Sequence, residues 1–160
     1  MNDTLLRLHK ANYWANMTLC ETLTPEVYND YIAETFSHVV NAQYIWMSRI
    51  EGIPSPYKVR EIQPLAQLPE RIQTISEKWL HYLKNASLQE FQRVIHYTNS
   101  FGETFNSIIL DVCFHLISHS HYHRGQVNRA LRLCKVEPKN IDYITYCRLV
   151  DAGKISSTYL

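Results

Sequence analysis

Apolar residues recur at steps of three and four residues through four long segments of the chain, and this spacing predicts amphipathic helices. The segments cover residues 4–23, 31–51, 69–85 and 107–133. Glycine is scarce, with four residues in 160, which favours long helices over many tight turns. The sequence therefore predicts an all-α fold in which the four helices form a four-helix bundle.

The stretches between the helices carry other signals. Pro25 ends the first helix, because proline disfavours helical geometry in the residue before it. Residues 52–67 contain three prolines and predict a long crossover loop between the second and third helices. Residues 93–105 contain two β-prone runs around a turn and predict a small β-hairpin before the last long helix. After that helix, residues 141–147 predict a short helical turn.

The overall charge argues against two classes of partner. Sixteen basic and fifteen acidic residues leave a formal net charge of +1, so electrostatics gives no reason to expect nucleic acid or a membrane surface as a partner. The first ten residues lack the pattern of a signal peptide, and no apolar stretch approaches the roughly 20 residues that cross a bilayer. We therefore expect one cytoplasmic domain over residues 1–160, with a homodimer as an open option for its assembly.

The four cysteines are widely spaced and form no CxxC pair. Such cysteines are typical of reduced, buried small hydrophobic residues rather than of disulfides or zinc clusters. The residues concerned are Cys20, Cys113, Cys134 and Cys147.

Four of the eight histidines lie within residues 115–123, inside the last long helix. The apolar stripe of this helix passes through His119 and His123, which lie one turn apart, whereas His121 points to the opposite side. Two imidazoles at this spacing can share a metal, as in the HExxH motif, although Ser120 stands where that motif has glutamate. The alternative is a pair of histidines that form hydrogen bonds with neighbouring helices.

A third imidazole comes from the second helix, where His38 has apolar neighbours. If His38 faces the core at the same height, three histidines converge and leave a coordination position open, as in catalytic zinc sites. Glu34, one turn before His38, is an alternative ligand or a hydrogen-bond acceptor for an imidazole. Asp111, one turn before His115, could orient that ring in the same way. The alternative for both carboxylates is a solvated or capping role.

Four stretches of the chain resemble the DinB/YfiT-like family of metal-dependent four-helix-bundle proteins. His123-Arg124-Gly125-Gln126 is their most specific piece, and residues 53–106 resemble the family only in layout. The four stretches are NYWANMTLCETL, FSHVVNAQYIWMSRIEG, HLISHSHYHRGQV and NIDYITY. This resemblance implies a divalent metal held by His38, His119 and His123, with His115 at a position where the family often has a histidine that is not a ligand. Three imidazoles suit several metals, and we expect zinc or nickel, with iron as an alternative.

The resemblance also implies a reaction class, although it assigns no catalytic residue. Some members of the family are thiol S-transferases that use bacillithiol, and related ones use mycothiol in an isomerase. A metal with an open position can lower the pKa of a bound thiol or activate water. We therefore expect a metal-dependent S-transferase that joins a low-molecular-weight thiol to a small-molecule electrophile. The alternatives are a metal-dependent hydrolase and a non-catalytic metal-binding stress-response protein.

Overall fold

The computed structural model describes residues 2–159 and is mostly helical, as the apolar spacing predicts. Four long helices, two short helices and two short strands make up this part of the chain, with single 3-10 turns at Leu65–Gln67 and Ser157–Tyr159. No helix among residues 2–159 is long and apolar enough to cross a bilayer. In chain order, the elements are α1 (Asn2–Cys20), α2 (Asp30–Glu51), α3 (Leu68–Asn85), α4 (Leu88–Gln92), β1 (Val94–Thr98), β2 (Thr104–Ile108), α5 (Ile109–Leu133) and α6 (Tyr143–Asp151).

Helix α2, which carries His38, has a defined start and end. The side chain of Asn29 accepts a hydrogen bond from the backbone N–H of Ile32 at 3.1 Å, which caps the first turn. Gly52 ends the helix in the left-handed conformation, with φ of 69°, a geometry that glycine adopts without steric strain. These two signals set where α2 begins and ends.

The long helices pack in pairs around a buried apolar core. Helix α1 lies against α3 and α2 lies against α5, with further contacts between α1 and α5 and between α2 and α3. Phe36 of α2 and Leu131 of α5 belong to one core cluster, and Trp79 of α3 and Leu116 of α5 belong to a second. The indole N–H of Trp79 also donates to the carbonyl of Gln43 at 3.1 Å. The α2–α5 contact is the one that positions the histidines.

The predicted β-hairpin is confirmed, but it is longer than predicted. Strands β1 and β2 pair antiparallel from Val94 opposite Ile108 to Thr98 opposite Thr104. Because β2 continues to Ile108, α5 begins at Ile109 rather than at residue 107. The side chain of Asn99 accepts from two backbone N–H groups of the turn, which holds the hairpin tip.

Other helix boundaries also differ from the prediction. Helix α1 ends at Cys20 instead of residue 23, and α6 runs from Tyr143 to Asp151, beyond the predicted turn. The five-residue helix α4 was not predicted, because so short a segment shows no apolar period; it begins where the Ser87 hydroxyl accepts from the N–H of Glu90. None of these differences moves the histidine-bearing segments of α2 and α5.

The cysteines are all free, as expected, but they are not all buried. Cys20 and Cys113 lie in the core, whereas Cys147 is half-buried and Cys134 is exposed. The burial prediction is wrong for Cys134 because this residue caps the C-terminal end of α5, beyond the apolar stripe.

Candidate metal centre

The structure brings His38, His119 and His123 together at the contact between α2 and α5. One ring nitrogen from each residue lies within 4.8 Å of those of the other two. The Nε2 atoms of His38 and His119 are 2.9 Å apart, and the three ring centroids are separated by 4.5 to 4.8 Å. All three side chains are half-buried. This cluster could hold a metal ion.

The orientation of the His38 ring is set by the crossover loop. The Nδ1 atom of His38 lies 3.1 Å from the carbonyl oxygen of Val59. A carbonyl can only accept, so Nδ1 carries the proton and Nε2 presents its lone pair to the cluster. Metal-ligating histidines commonly donate their second N–H to a backbone carbonyl in this way.

Buried polar residues of α2 hold the loop that supplies this carbonyl. The Asn41 side chain donates to the carbonyl oxygen of Lys58 at 3.1 Å, and the Ser37 hydroxyl accepts from the backbone N–H of Gln63 at 2.8 Å. Asn41 and Ser37 are fully buried, so these hydrogen bonds are protected from water. They fix the backbone on both sides of Val59.

A similar contact orients His123 from within α5. The Nδ1 atom of His123 lies 2.8 Å from Oε1 of Gln126, one turn further along the helix. When this oxygen accepts the Nδ1 proton, Nε2 is left with a free lone pair. Gln126 is the last residue of the His-Arg-Gly-Gln segment, and this hydrogen bond gives its side chain a physical role.

His119 is the least satisfied member of the cluster. Its Nδ1 is buried with no hydrogen-bond partner among residues 2–159. Because Nε2 of His38 is the unprotonated nitrogen, the 2.9 Å contact requires the proton to be on Nε2 of His119 in the metal-free chain. A metal ion would take the place of that proton.

The surroundings keep two of these imidazoles neutral. Burial, together with the positive charge of the neighbouring histidines when they are protonated, lowers the pKa of His119 to about 3. Burial also lowers the pKa of His38, and the positive charges of His123 and Arg60 add to this effect. Only neutral imidazole binds a metal, so His38 and His119 are ready to bind one at neutral pH.

The donor set fits a divalent transition metal. Three neutral nitrogen donors suit zinc, nickel and iron, and Zn–N bonds of about 2.0–2.1 Å place tetrahedral ligand atoms about 3.3 Å apart. The observed separations, from 2.9 Å to at most 4.8 Å, bracket that value. Small rotations of the rings would therefore bring all three nitrogens to bonding distance.

His115 lies beside the cluster without joining it. His115 is partly exposed, and the centroid of its ring is 5.1 Å from that of His119 and 5.4 Å from that of Trp46. Burial of the ring and the positive charge of Arg49 lower its pKa. His121 is exposed on the outer side of α5, which agrees with the predicted helical phase.

The two carboxylates that the sequence suggested as supporting groups lie outside the three-histidine group. Glu34 accepts a hydrogen bond from Arg60 at 2.7 Å, and its side chain is 46% exposed. Asp111 is exposed, and its carboxylate forms no hydrogen bond with the His115 ring or with any other side chain among residues 2–159. Both positions fit the solvated alternative, since each carboxylate reaches water.

Sequence reasoning missed the buried contact that attaches this part of α5 to α1. Arg124, which follows His123, is only 3% exposed. Its guanidinium donates to the side-chain oxygens of Asn12 and Asn16, at 2.5 and 2.8 Å, and burial lowers its pKa to about 9. All three residues lie in stretches that resemble the family, Arg124 in one and the two asparagines in another. The spacing of residues along one helix, however, does not show which residues of another helix they contact.

Comparison with known proteins identifies one family. A sequence model described as the DinB family matches residues 1–153. Protein DinB of Bacillus subtilis (strain 168) is 22% identical over 176 aligned positions, which cover 96% of this chain and 99% of that protein.

Proposed function

Because the chain belongs to the DinB family, we propose that its three-histidine cluster binds one divalent metal ion and that the loaded protein is a thiol S-transferase. The observation that carries this proposal is the convergence of His38, His119 and His123, with two of the rings oriented through their Nδ1 atoms. We propose zinc or nickel as the metal, with iron as the alternative. We also take the four long helices to form a four-helix bundle, a fold that places metal ligands on facing helices.

The residues of the chain divide the work at this site. The three imidazoles would hold the ion. The Val59 carbonyl and the Gln126 side chain fix the orientation of the His38 and His123 rings. Three protein ligands leave at least one coordination position for a small molecule. The ion supplies positive charge that lowers the pKa of a thiol.

The reaction we propose is a substitution at carbon. The sulfur of a low-molecular-weight thiol attacks an electrophilic carbon of the second substrate. One S–C bond forms, the bond from that carbon to its leaving group breaks, and the thiol proton passes to solvent. Because the imidazole ligands are neutral, they leave the positive charge of the ion available to stabilise the thiolate.

The test compares matched histidine variants in one assay. Protein purified without added metal is loaded with zinc, nickel or ferrous iron, and conjugation of monochlorobimane to cysteine, glutathione or bacillithiol is followed by fluorescence. We expect metal-dependent turnover that is lost in His123→Ala and kept in His121→Ala, whose side chain is exposed on the far side of α5.

Two results would contradict the transferase. Ester hydrolysis without thiol uptake would favour a metal-dependent hydrolase that uses the same site. A fully metallated protein that is inert towards a broad thiol and ester panel would favour a non-catalytic metal-binding protein.

A further inference from the structure

We propose that a basic pocket beside the three-histidine cluster binds an anionic group, a carboxylate or a phosphate, of the small molecule on which the protein acts. That this molecule is a substrate rests on the proposed function. The binding of the anion does not, because it depends on residues outside the cluster.

The pocket has a volume of about 740 Å³ and lies between the C-terminal half of α2, the crossover loop and the hairpin turn. Three cations, Arg49, Lys58 and Arg60, line it. None of its lining residues, all within residues 2–159, is an aspartate or a glutamate. Such a surface attracts anions and repels cations.

Arg49 is the best prepared of the three cations. Its guanidinium carbon lies 4.5 Å from the centre of the Trp46 ring and 4.3 Å from that of Tyr97. These cation–π contacts hold the planar group in place. Within residues 2–159 its N–H groups meet no hydrogen-bond acceptor and no carboxylate forms an ion pair with it, so its donors are free for an oxyanion, which arginine binds with two parallel hydrogen bonds.

The other two cations are anchored differently. Arg60 is paired with Glu34 at 2.7 Å, which leaves it with little net charge to offer. Lys58 forms no ion pair with a carboxylate in the described part of the chain, and its side chain is exposed at the pocket. The Glu61 carboxylate accepts from the backbone N–H of Lys58 at 3.0 Å, so Arg49 supplies the uncompensated charge of the pocket.

The pocket adjoins the histidine cluster through two contacts. Val59, whose carbonyl orients His38, also lines the pocket. On the other side, the Trp46 ring that supports Arg49 contacts the His115 ring, which in turn contacts His119. A molecule anchored at Arg49 would therefore be linked to the three histidines through Val59 and through the Trp46 and His115 rings.

The rest of the lining indicates that the ligand also has an apolar part. Ile45, Ile53 and Tyr57 line the pocket together with Phe101, which is 88% exposed at the tip of the hairpin. An exposed aromatic ring at the rim gains from being covered by an apolar group. The ligand class we infer is thus a small oxyanion that carries an apolar substituent.

The test measures anion binding by NMR through the indole N–H of Trp46. Metal-free and zinc-loaded protein are titrated with phenylacetate, phenyl phosphate and, as an uncharged control, benzyl alcohol. We expect saturable shifts with at least one oxyanion and none with benzyl alcohol. The oxyanion that binds more tightly shows whether the pocket prefers a carboxylate or a phosphate. Because the metal-free arm does not need the ion, failure of the metal site and failure of this proposal give different results.

Three variants make the result specific. Arg49→Met should weaken binding at least about tenfold, because it removes charge-assisted hydrogen bonds, whereas Lys84→Gln, which removes an exposed charge on α3, should leave it unchanged. Arg49→Lys keeps the charge but not the paired donors and should give an intermediate affinity, which keeps the test valid if Arg49→Met misfolds. Equal affinities in wild type and Arg49→Lys, or the absence of saturable shifts with either oxyanion, would overturn the proposal.

Discussion

The Nε2 atoms of His38 on α2 and His119 on α5 lie 2.9 Å apart. Two unprotonated nitrogens would repel each other at this distance, so a proton or a metal ion must lie between them. The hydrogen bond from His38 Nδ1 to the Val59 carbonyl assigns that proton to His119 in the metal-free chain. The metal site that we propose depends on this pair and on the residues that orient it.

Gln126 should contribute to metal affinity although it is not a ligand. Its Oε1 atom is 2.8 Å from Nδ1 of His123, and loss of such a supporting acceptor typically lowers metal affinity about 10–100-fold. We expect this loss in Gln126→Leu, while Gln126→Glu keeps an acceptor and most of the affinity. Competition with a chromophoric zinc chelator measures both, with Gln73→Leu on α3 as the control. Wild-type affinity in Gln126→Leu would show that the contact has no orienting role.

The two other histidines near the site should differ from each other. His115 contacts the His119 ring at 5.1 Å, whereas His121 is exposed on the outer side of α5. We expect His115→Ala to weaken zinc binding by about tenfold and His121→Ala to have no effect, as measured by the same chelator competition. If His121→Ala proves as damaging as His115→Ala, the side chains of α5 do not face as described.

Metal-free protein should lose stability as the pH falls from about 6.5 towards 4. His9 is 4% exposed, and burial lowers its pKa to about 4, although a backbone hydrogen bond with Cys113 opposes part of this shift. The unfolded chain takes up a proton near pH 6.5 and the folded chain does not until about pH 4. His9 therefore reduces the free energy of unfolding by up to about 1.4 kcal/mol per pH unit in this window.

A substitution at His9 separates its contribution from that of the cluster. His9→Phe keeps an aromatic ring against Trp79, whose centroid is 5.5 Å away. It loses the hydrogen bond with the Cys113 backbone, which lowers the stability at every pH, whereas the titration changes the slope with pH. Urea unfolding at several pH values should show a shallower fall in stability for His9→Phe than for wild type. His81→Phe, which replaces an exposed imidazole, should follow wild type. Identical slopes in all three proteins would contradict the assignment.

Replacement of Gly125 by alanine should stabilise the protein. Gly125 lies inside α5, and a Cβ atom built there meets no other atom within 4 Å. Alanine is favoured over glycine in a helix interior by about 0.5–1 kcal/mol, so the midpoint of urea unfolding should rise in Gly125→Ala. A lower midpoint would mean that this position needs glycine for a reason other than space.

The sequence predicts the helices well because their signal is local. Apolar residues at steps of three and four mark the buried face of each long helix, and the two β-prone runs mark the hairpin. The ends of the helices are harder to predict. Helix α5 starts later than expected because Ser107 and Ile108 pair with β1, and no residue type in that segment indicates this pairing. The short helix α4 depends on one cap at Ser87 and has no period of its own.

The three histidines of the candidate site can be predicted from the sequence, whereas most of the contacts that support them cannot. Helical phase places His119 and His123 on one face, and resemblance adds His38 from another helix. Gln126, three residues after His123, lies at a spacing from which the contact could have been inferred. The Val59 carbonyl could not be inferred, because it depends on how a long loop folds back over α2. The contact of Arg124 with Asn12 and Asn16 could not be inferred either, because it depends on how α5 packs against α1.

Anomalous diffraction at the zinc absorption edge from crystals of the zinc-loaded protein tests the three-histidine site most directly. We expect one anomalous peak per chain at about 2.0–2.1 Å from a ring nitrogen of each of His38, His119 and His123. An His119→Ala crystal prepared in the same way should show no peak at this position. A wild-type crystal in which zinc binds elsewhere, or in which the three rings keep their hydrogen bonds with no peak between them, would contradict the three-histidine site.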